Sequence, residues 1–294
     1  MKALIISWIV VLVNFHTLSV DTTIDFELNK AYFAFRNNII YFKGKPVNGT
    51  VETHYRDGKI KSKNRFINGI ANGLNENYYS NGKLEDKTAY KNGYKNGIYE
   101  SYFSNGKISI RKYFKNGIQE GLYESFYNTG QLSKKKIFKN GKEIEFTEYD
   151  EKGTLKIKES IKDGFIYYES YVDGVNLLKK GKYNKDRREE GKWEIYYGGE
   201  FWDDETGDQL SFLKEAIGKL ARIENYSDGY LNGQQISFHS NGIISKRENY
   251  FYDPANGEPI TIGIRELFDK NGKLTERSTF DNSGSRVKNE VFNN

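Results

Sequence analysis

The chain has 294 residues, 37% hydrophobic and 29% charged, enough to bury a sizeable apolar surface. Lys and Arg total 45 against 40 acidic residues, and the net charge of +5 is spread along the chain without a basic block, which argues against nucleic acid as the partner. The absence of Cys excludes a disulfide framework and a thiol nucleophile, while 29 Gly, 3 Pro and 15% aromatic residues point to short strands joined by glycine turns.

Met1 and Lys2 precede an apolar run over residues 3–13, and Thr17 and Ser19 supply small residues before a cleavage point. Residues 1–19 therefore read as a secretory signal peptide, with an uncleaved N-terminal anchor as the alternative. Either places the chain in the periplasm, in the cell envelope or outside the cell. Residues 20–48 read as lead-in strands.

From residue 49 a repeat of 24 residues governs the chain. Its hairpin tips fall at Gly58, Gly82, Gly106 and Gly130, a second glycine at Gly49, Gly73, Gly97 and Gly121, and a third at Gly69, Gly93, Gly117 and Gly141. Four residues before each tip stands an aromatic ring, as in Tyr78, Tyr102 and Phe126; two residues after it stands Ile or Leu, as in Ile60, Leu84 and Ile108. Eight residues after it comes another ring, as in Phe66, Tyr90, Phe114 and Phe138. The same spacings recur around Gly153, Gly242 and Gly272, with Gly233 in the role of Gly73. Such a period means a repeat array. The predicted fold is all-β: an elongated antiparallel meander of about eight or nine stacked hairpins.

Asn-Gly and Asp-Gly tips favour a two-residue type I′ turn. That turn places Glu52 opposite Lys63, Glu76 opposite Lys87, Glu100 opposite Arg111, Glu124 opposite Lys135 and Glu266 opposite Arg277. Five opposite-charge pairs at cross-strand positions fix the register. The same register faces Tyr90 with Gly73 and Phe114 with Gly97, giving those glycines the role of leaving room for a ring. It also predicts that Tyr79, Leu84 and Tyr90 share one face while the charged pairs occupy the other.

Regular repeats cover residues 49–164, and residues 165–190 read as a degenerate repeat and charged connector. Further repeats fill residues 191–294, interrupted where Tyr196 and Tyr197 are separated from the next tip glycine, Gly218, by an insertion at about 200–217. This acidic, Trp-bearing segment, with helical periodicity at Leu210, Leu213 and Ile217, is the candidate recognition loop, and its residues Phe201, Trp202, Asp203, Asp204, Glu205 and Phe212 are the candidate partner contacts. The carboxylates there have calcium-ligand chemistry but not the spacing of an EF-hand loop, so no metal is assigned. A shorter insertion near Pro254 and Pro259 reads as a surface turn.

Catalytic chemistry is missing. His54 and His239 occupy ring positions of the repeat, no phosphate loop or nucleophile elbow occurs, and each ladder Glu faces a base. The chain reads as a non-enzyme without a cofactor.

The segment Gly73-Leu74-Asn75-Glu76-Asn77-Tyr78-Tyr79-Ser80-Asn81-Gly82-Lys83-Leu84, ending in Tyr90-Lys91-Asn92-Gly93, resembles the variant MORN repeat of bacterial YwqK-type antitoxin proteins. The resemblance spans roughly residues 44–164 and, with interruptions, 191–280. It implies a sheet of hairpins and an interaction role, with no catalytic residues. The expected function is an exported scaffold for a protein partner; a membrane-lipid or glycan-binding module, and an antitoxin-like neutraliser of a toxin, are the alternatives.

Overall fold

A computed structural model describes residues 22–198, 216–254 and 257–292. Among these, strands from Gly49–His54 through Arg286–Val291 pair each with the next in one antiparallel meander that does not close. This is the predicted class. Each Val-, Ile-, Tyr- or Phe-bearing segment is extended, and each Gly or Asn interruption turns the chain back.

Residues 23–48 cap the first edge. Thr23–Asp25 pairs in parallel with Gly49–His54, and Asp25 then caps a single helical turn, Phe26–Asn29, through the Leu28 N–H. The strands Phe33–Arg36, Ile39–Phe42 and Lys45–Pro46 form a separate small sheet. Ile40, Val47 and Val51 are buried where the two sheets meet, beside Phe26, Phe33, Phe42 and Phe66. Elsewhere the sheet is one layer thick, and most side chains on both faces are half-buried.

The two edges of the sheet use different turns, and this corrects the sequence reading. At the tips, the Tyr79 N–H donates to Lys83 O and the Gly82 N–H to Tyr79 O, closing a three-residue loop. Gly82 takes φ +84°, but Asn81 does not enter the left-handed region. Its carboxamide instead accepts the Lys83 N–H at 3.0 Å, and Asn105 does the same for Lys107 at 2.9 Å. The tip is a type I turn closed by a glycine bulge rather than a type I′ turn. Type I′ turns lie on the opposite edge, where both residues have positive φ: Asn68-Gly69 (50° and 73°), Asn92-Gly93 (51° and 84°) and Asn116-Gly117 (51° and 84°).

The extra tip residue shifts the pairing, and a second bulge restores it. Tyr78 faces Leu84, whereas Asn77 faces Asp86 and Glu76 faces Lys87. The predicted charge pairs are therefore opposite one another, but only because two irregularities cancel. One consequence differs from the expectation: Leu84 stands opposite Tyr78, on the face of the charged row, and not with Tyr79 and Tyr90.

Gly73 faces Tyr90, Gly97 faces Phe114 and Gly121 faces Phe138, as predicted. The reason is not space for the ring. A Cβ on Gly73 would meet the Arg65 side chain at 2.5 Å, one on Gly97 would meet Ala89 Cβ at 3.3 Å, and one on Gly121 would meet nothing within 4 Å. What they share is φ of +117°, +108° and +75°, at bulges where three residues stand against one, such as 72–74 against Arg65. Gly49 and Gly233, at +135° and +101°, occupy the same position, and the tip glycines Gly58, Gly106, Gly130, Gly242 and Gly272 lie between +84° and +94°.

Gly121→Ala separates the two explanations. The left-handed backbone predicts a loss of about 1–2 kcal/mol in urea denaturation despite the open space; unchanged stability would contradict it.

Candidate functional site

Direct cross-strand partners share a face, so the pairing lays out rows across the sheet. One row runs Glu52, Lys63, Glu76, Lys87, Glu100, Arg111, Glu124, Lys135. Past Thr147 it resumes as Lys158, Glu169, Lys180, Glu194, and past Ile223 and Ile236 as Arg247, Glu266, Arg277, Glu290. The alternation joins hairpins as well as strands. Lys63 reaches Glu52 at 3.1 Å and Arg277 reaches Glu266 at 2.8 Å within their hairpins, but the Lys87 ammonium goes forward to Glu100 of the next one, at 2.7 Å.

Glu100 is the best-held member. It is 5% exposed and accepts bonds from Lys87, from Arg111 Nε at 2.8 Å and from the Tyr102 hydroxyl at 2.7 Å. Burial pushes its carboxyl up, yet the bonds from Lys87, Arg111 and Tyr102 outweigh this and hold it down at about 2. Glu194 repeats the arrangement with Lys180, Lys192 and Tyr196 and is also held at about 2. These carboxylates are structural anions, unsuited to proton donation near neutral pH.

A cleft of about 380 Å³ opens on this face near Lys158, Tyr167, Glu169, Lys180, Lys192 and Glu194. Its charges are paired among themselves, Lys180 and Lys192 with Glu194 at 2.6 and 2.7 Å and Lys158 with Glu169 at 3.8 Å. Behind it, on the other face, Trp193 is fully buried against Tyr168 and Tyr183, its ring seated on Gly181 where a Cβ would come within 2.1 Å.

The other face also carries the row Thr88, Tyr99, Lys112, Tyr123, Lys136, Phe146. Lys112 Nζ lies 4.7 Å from the Tyr99 ring centre and 5.5 Å from that of Phe114, and Lys95 Nζ lies 5.6 and 5.3 Å from the same two rings. Lys136 sits over Phe146 at 5.2 Å but is neutralised by Glu143 at 2.7 Å. Composition and spacing did not single out this contrast; it needs the register.

A third ladder ties the tips together. The Tyr55, Tyr79 and Tyr127 hydroxyls donate to the carbonyls of Tyr78, Tyr102 and Tyr149 in the next hairpin. His239, predicted to replace a packing ring, also takes over this bond, its Nε2 lying 2.9 Å from Phe268 O. His54 stands with Nδ1 3.1 Å from Asp25 Oδ2 of the cap.

The predicted contacts Phe201, Trp202, Asp203, Asp204, Glu205 and Phe212 lie outside the described residues, as does the 1–19 segment. The base of the 200–217 insertion is described, and it is a closed tip: the Tyr197 N–H donates to Lys219 O and the Gly218 N–H to Tyr197 O, both at 2.8 Å. These bonds match those of Tyr79, Gly82 and Lys83. Among the described residues no cluster of His, Cys, Asp and Glu could hold a metal ion.

The MORN repeat variant model matches residues 71–92, 95–116, 119–140 and 262–282. The chain carries MORN repeat variants. Each of the first three matched segments starts two residues after the glycine of one type I′ turn and ends on the Asn of the next. The MORN unit is therefore the hairpin around one tip. Between residues 141 and 261, where the MORN model does not match, the described residues continue the hairpins. No curated protein matches the chain. Among solved structures, a porin-like protein from Bacteroides uniformis is 12% identical over 82% of this chain and 86% of that one, with a TM-score of 0.21. The TcdB2-TccC3 structure is 10% identical over 85% of this chain and 15% of that one, with a TM-score of 0.17. Likeness at this level carries no functional reading.

Two outcomes follow. Glu100→Gln removes the buried carboxylate that Lys87 and Arg111 both bond and is expected to cost about 2–4 kcal/mol. Because the folded carboxyl titrates below its ordinary 4.5, its contribution is complete above that pH and fades as pH falls toward 2. Chemical denaturation across pH 2–6 should show this acid-side loss in the wild type and less of it in Glu100→Gln; parallel curves would contradict the assignment. Separately, replacing residues 198–217 by Ser-Asn recreates the Tyr79–Lys83 loop and should leave the β circular-dichroism spectrum intact, whereas unfolding would show that the insertion supports the sheet.

Proposed function

We propose that this chain is an exported, non-enzymatic repeat scaffold that binds another polypeptide through the faces of its sheet and the 200–217 excursion. The observation that carries this reading is the single layer: rings and their flanking charges lie half-exposed on both faces of one continuous surface, and the 200–217 insertion falls at one closed tip. Such surfaces supply amphipathic rings that hold their position before a partner arrives, which lowers the entropy lost on binding.

The lysines held over rings favour one second reading, a membrane-surface or glycan-binding module. Capture from cell-envelope extracts by the purified protein, at low and at high salt, separates the two. A polypeptide retained at high salt and lost when residues 198–217 are replaced by Ser-Asn supports the scaffold. Lipid or polysaccharide retained only at low salt supports the surface module instead.

A further inference from the structure

The Lys95 and Lys112 ammoniums crowd the same two rings, Tyr99 and Phe114, and among the described residues neither makes an ion pair. Lys112 is pushed below the ordinary lysine range by burial and then by Lys95, with no carboxylate compensating. Directly opposite Phe114 stands Gln119, whose Nε2 is buried without a hydrogen-bond partner. Lys95, Lys112 and Gln119 thus lie on three neighbouring strands around Phe114, with no carboxylate paired to them among the described residues.

The next hairpin shows what is missing. There Phe138 faces Glu143, as Phe114 faces Gln119, and Glu143 neutralises Lys136 at 2.7 Å. At the 95–119 patch the chain keeps the lysine and the ring but has an amide where the carboxylate would be. An unpaired buried donor and two adjacent cations are costly, and an incoming anion relieves both.

We propose that Lys95, Lys112 and Gln119 form a binding site for a carboxylate side chain of an acidic polypeptide, seated where Glu143 sits in the following hairpin. The inference rests on the scaffold reading and names the chemistry of its partner. The flanking Tyr99, Phe114 and Tyr123 rings offer an apolar shelf for the methylenes of a Glu side chain, which a compact inorganic oxyanion would not use. The two ammoniums supply charge-assisted bonds to the carboxylate oxygens.

Calorimetric titration of the full chain with a penta-glutamate peptide at low salt tests it, with penta-glutamine and inorganic phosphate as the other arms. Binding of penta-glutamate alone is expected, weakened at least about tenfold by Lys95→Gln or Lys112→Gln and unchanged in Lys139→Gln, an exposed lysine on the opposite face of the sheet. Gln119→Glu should abolish binding by supplying the carboxylate internally while leaving the circular-dichroism spectrum intact. Equal binding by the Lys95, Lys112 and Lys139 variants, phosphate binding as tight as the peptide's, or no peptide binding would each overturn the site. If the peptide fails while envelope capture still retains a polypeptide at high salt, this inference falls and the scaffold reading stands.

Discussion

A sheet one layer thick has no second layer to bury its faces against, and everything else in this molecule answers that constraint. Among the described residues, the large apolar side chains with the least exposure lie at the seam between the capping residues and Val51 and around Trp193. The remaining rings and aliphatic chains find cover from cross-strand neighbours, where each pair contributes on the order of 0.2–1 kcal/mol. Stability in such an array is a sum over adjacent hairpins.

Three ladders make that sum favourable. The alternating acid and base row binds strand to strand and, at Lys87 and Glu100, hairpin to hairpin. The Tyr55, Tyr79, Tyr127 and Tyr197 hydroxyls join their tips to the next, and Lys59 and Lys83 add bonds from their ammoniums to the carbonyls of Ser80 and Asn105. On the far edge the turn glycines donate backward, Gly93 to Ala71 O and Gly117 to Lys95 O. On the face of the charged row Glu100 and Glu194 are each held by two bases, while on the other face Lys95, Lys112 and Gln119 have no acid paired to them among the described residues. The asymmetry between the faces is what gives the molecule a candidate binding surface.

The period of the glycines and rings made the meander legible, and the charge pairs made the register legible. The turn chemistry was not, because Asn-Gly serves two different turns. At Asn92-Gly93 both residues enter the left-handed region, but at Asn81-Gly82 the Asn carboxamide accepts the Lys83 N–H and keeps the Asn out of it. A compensating bulge hid the difference from any argument based on pairing alone. The role given to Gly73 and Gly97 was wrong for a related reason: opposition to a ring was visible in the spacing, whereas a positive φ at a bulge was not. The Lys95, Lys112 and Gln119 patch emerges only when residues from three strands are laid side by side, and the sequence separates them by up to 24 positions.

The central claim is that stability and order are passed between neighbouring hairpins and no further. Native-state amide hydrogen exchange on Glu100→Gln addresses it directly. The account predicts faster exchange in the strands Leu84–Lys91, Tyr94–Tyr102, Ile108–Lys115 and Ile118–Phe126, which surround that carboxylate, with protection unchanged from Leu220–Ser227 to Arg286–Val291. A uniform loss of protection along the whole sheet would contradict it and show that the array unfolds as one cooperative unit.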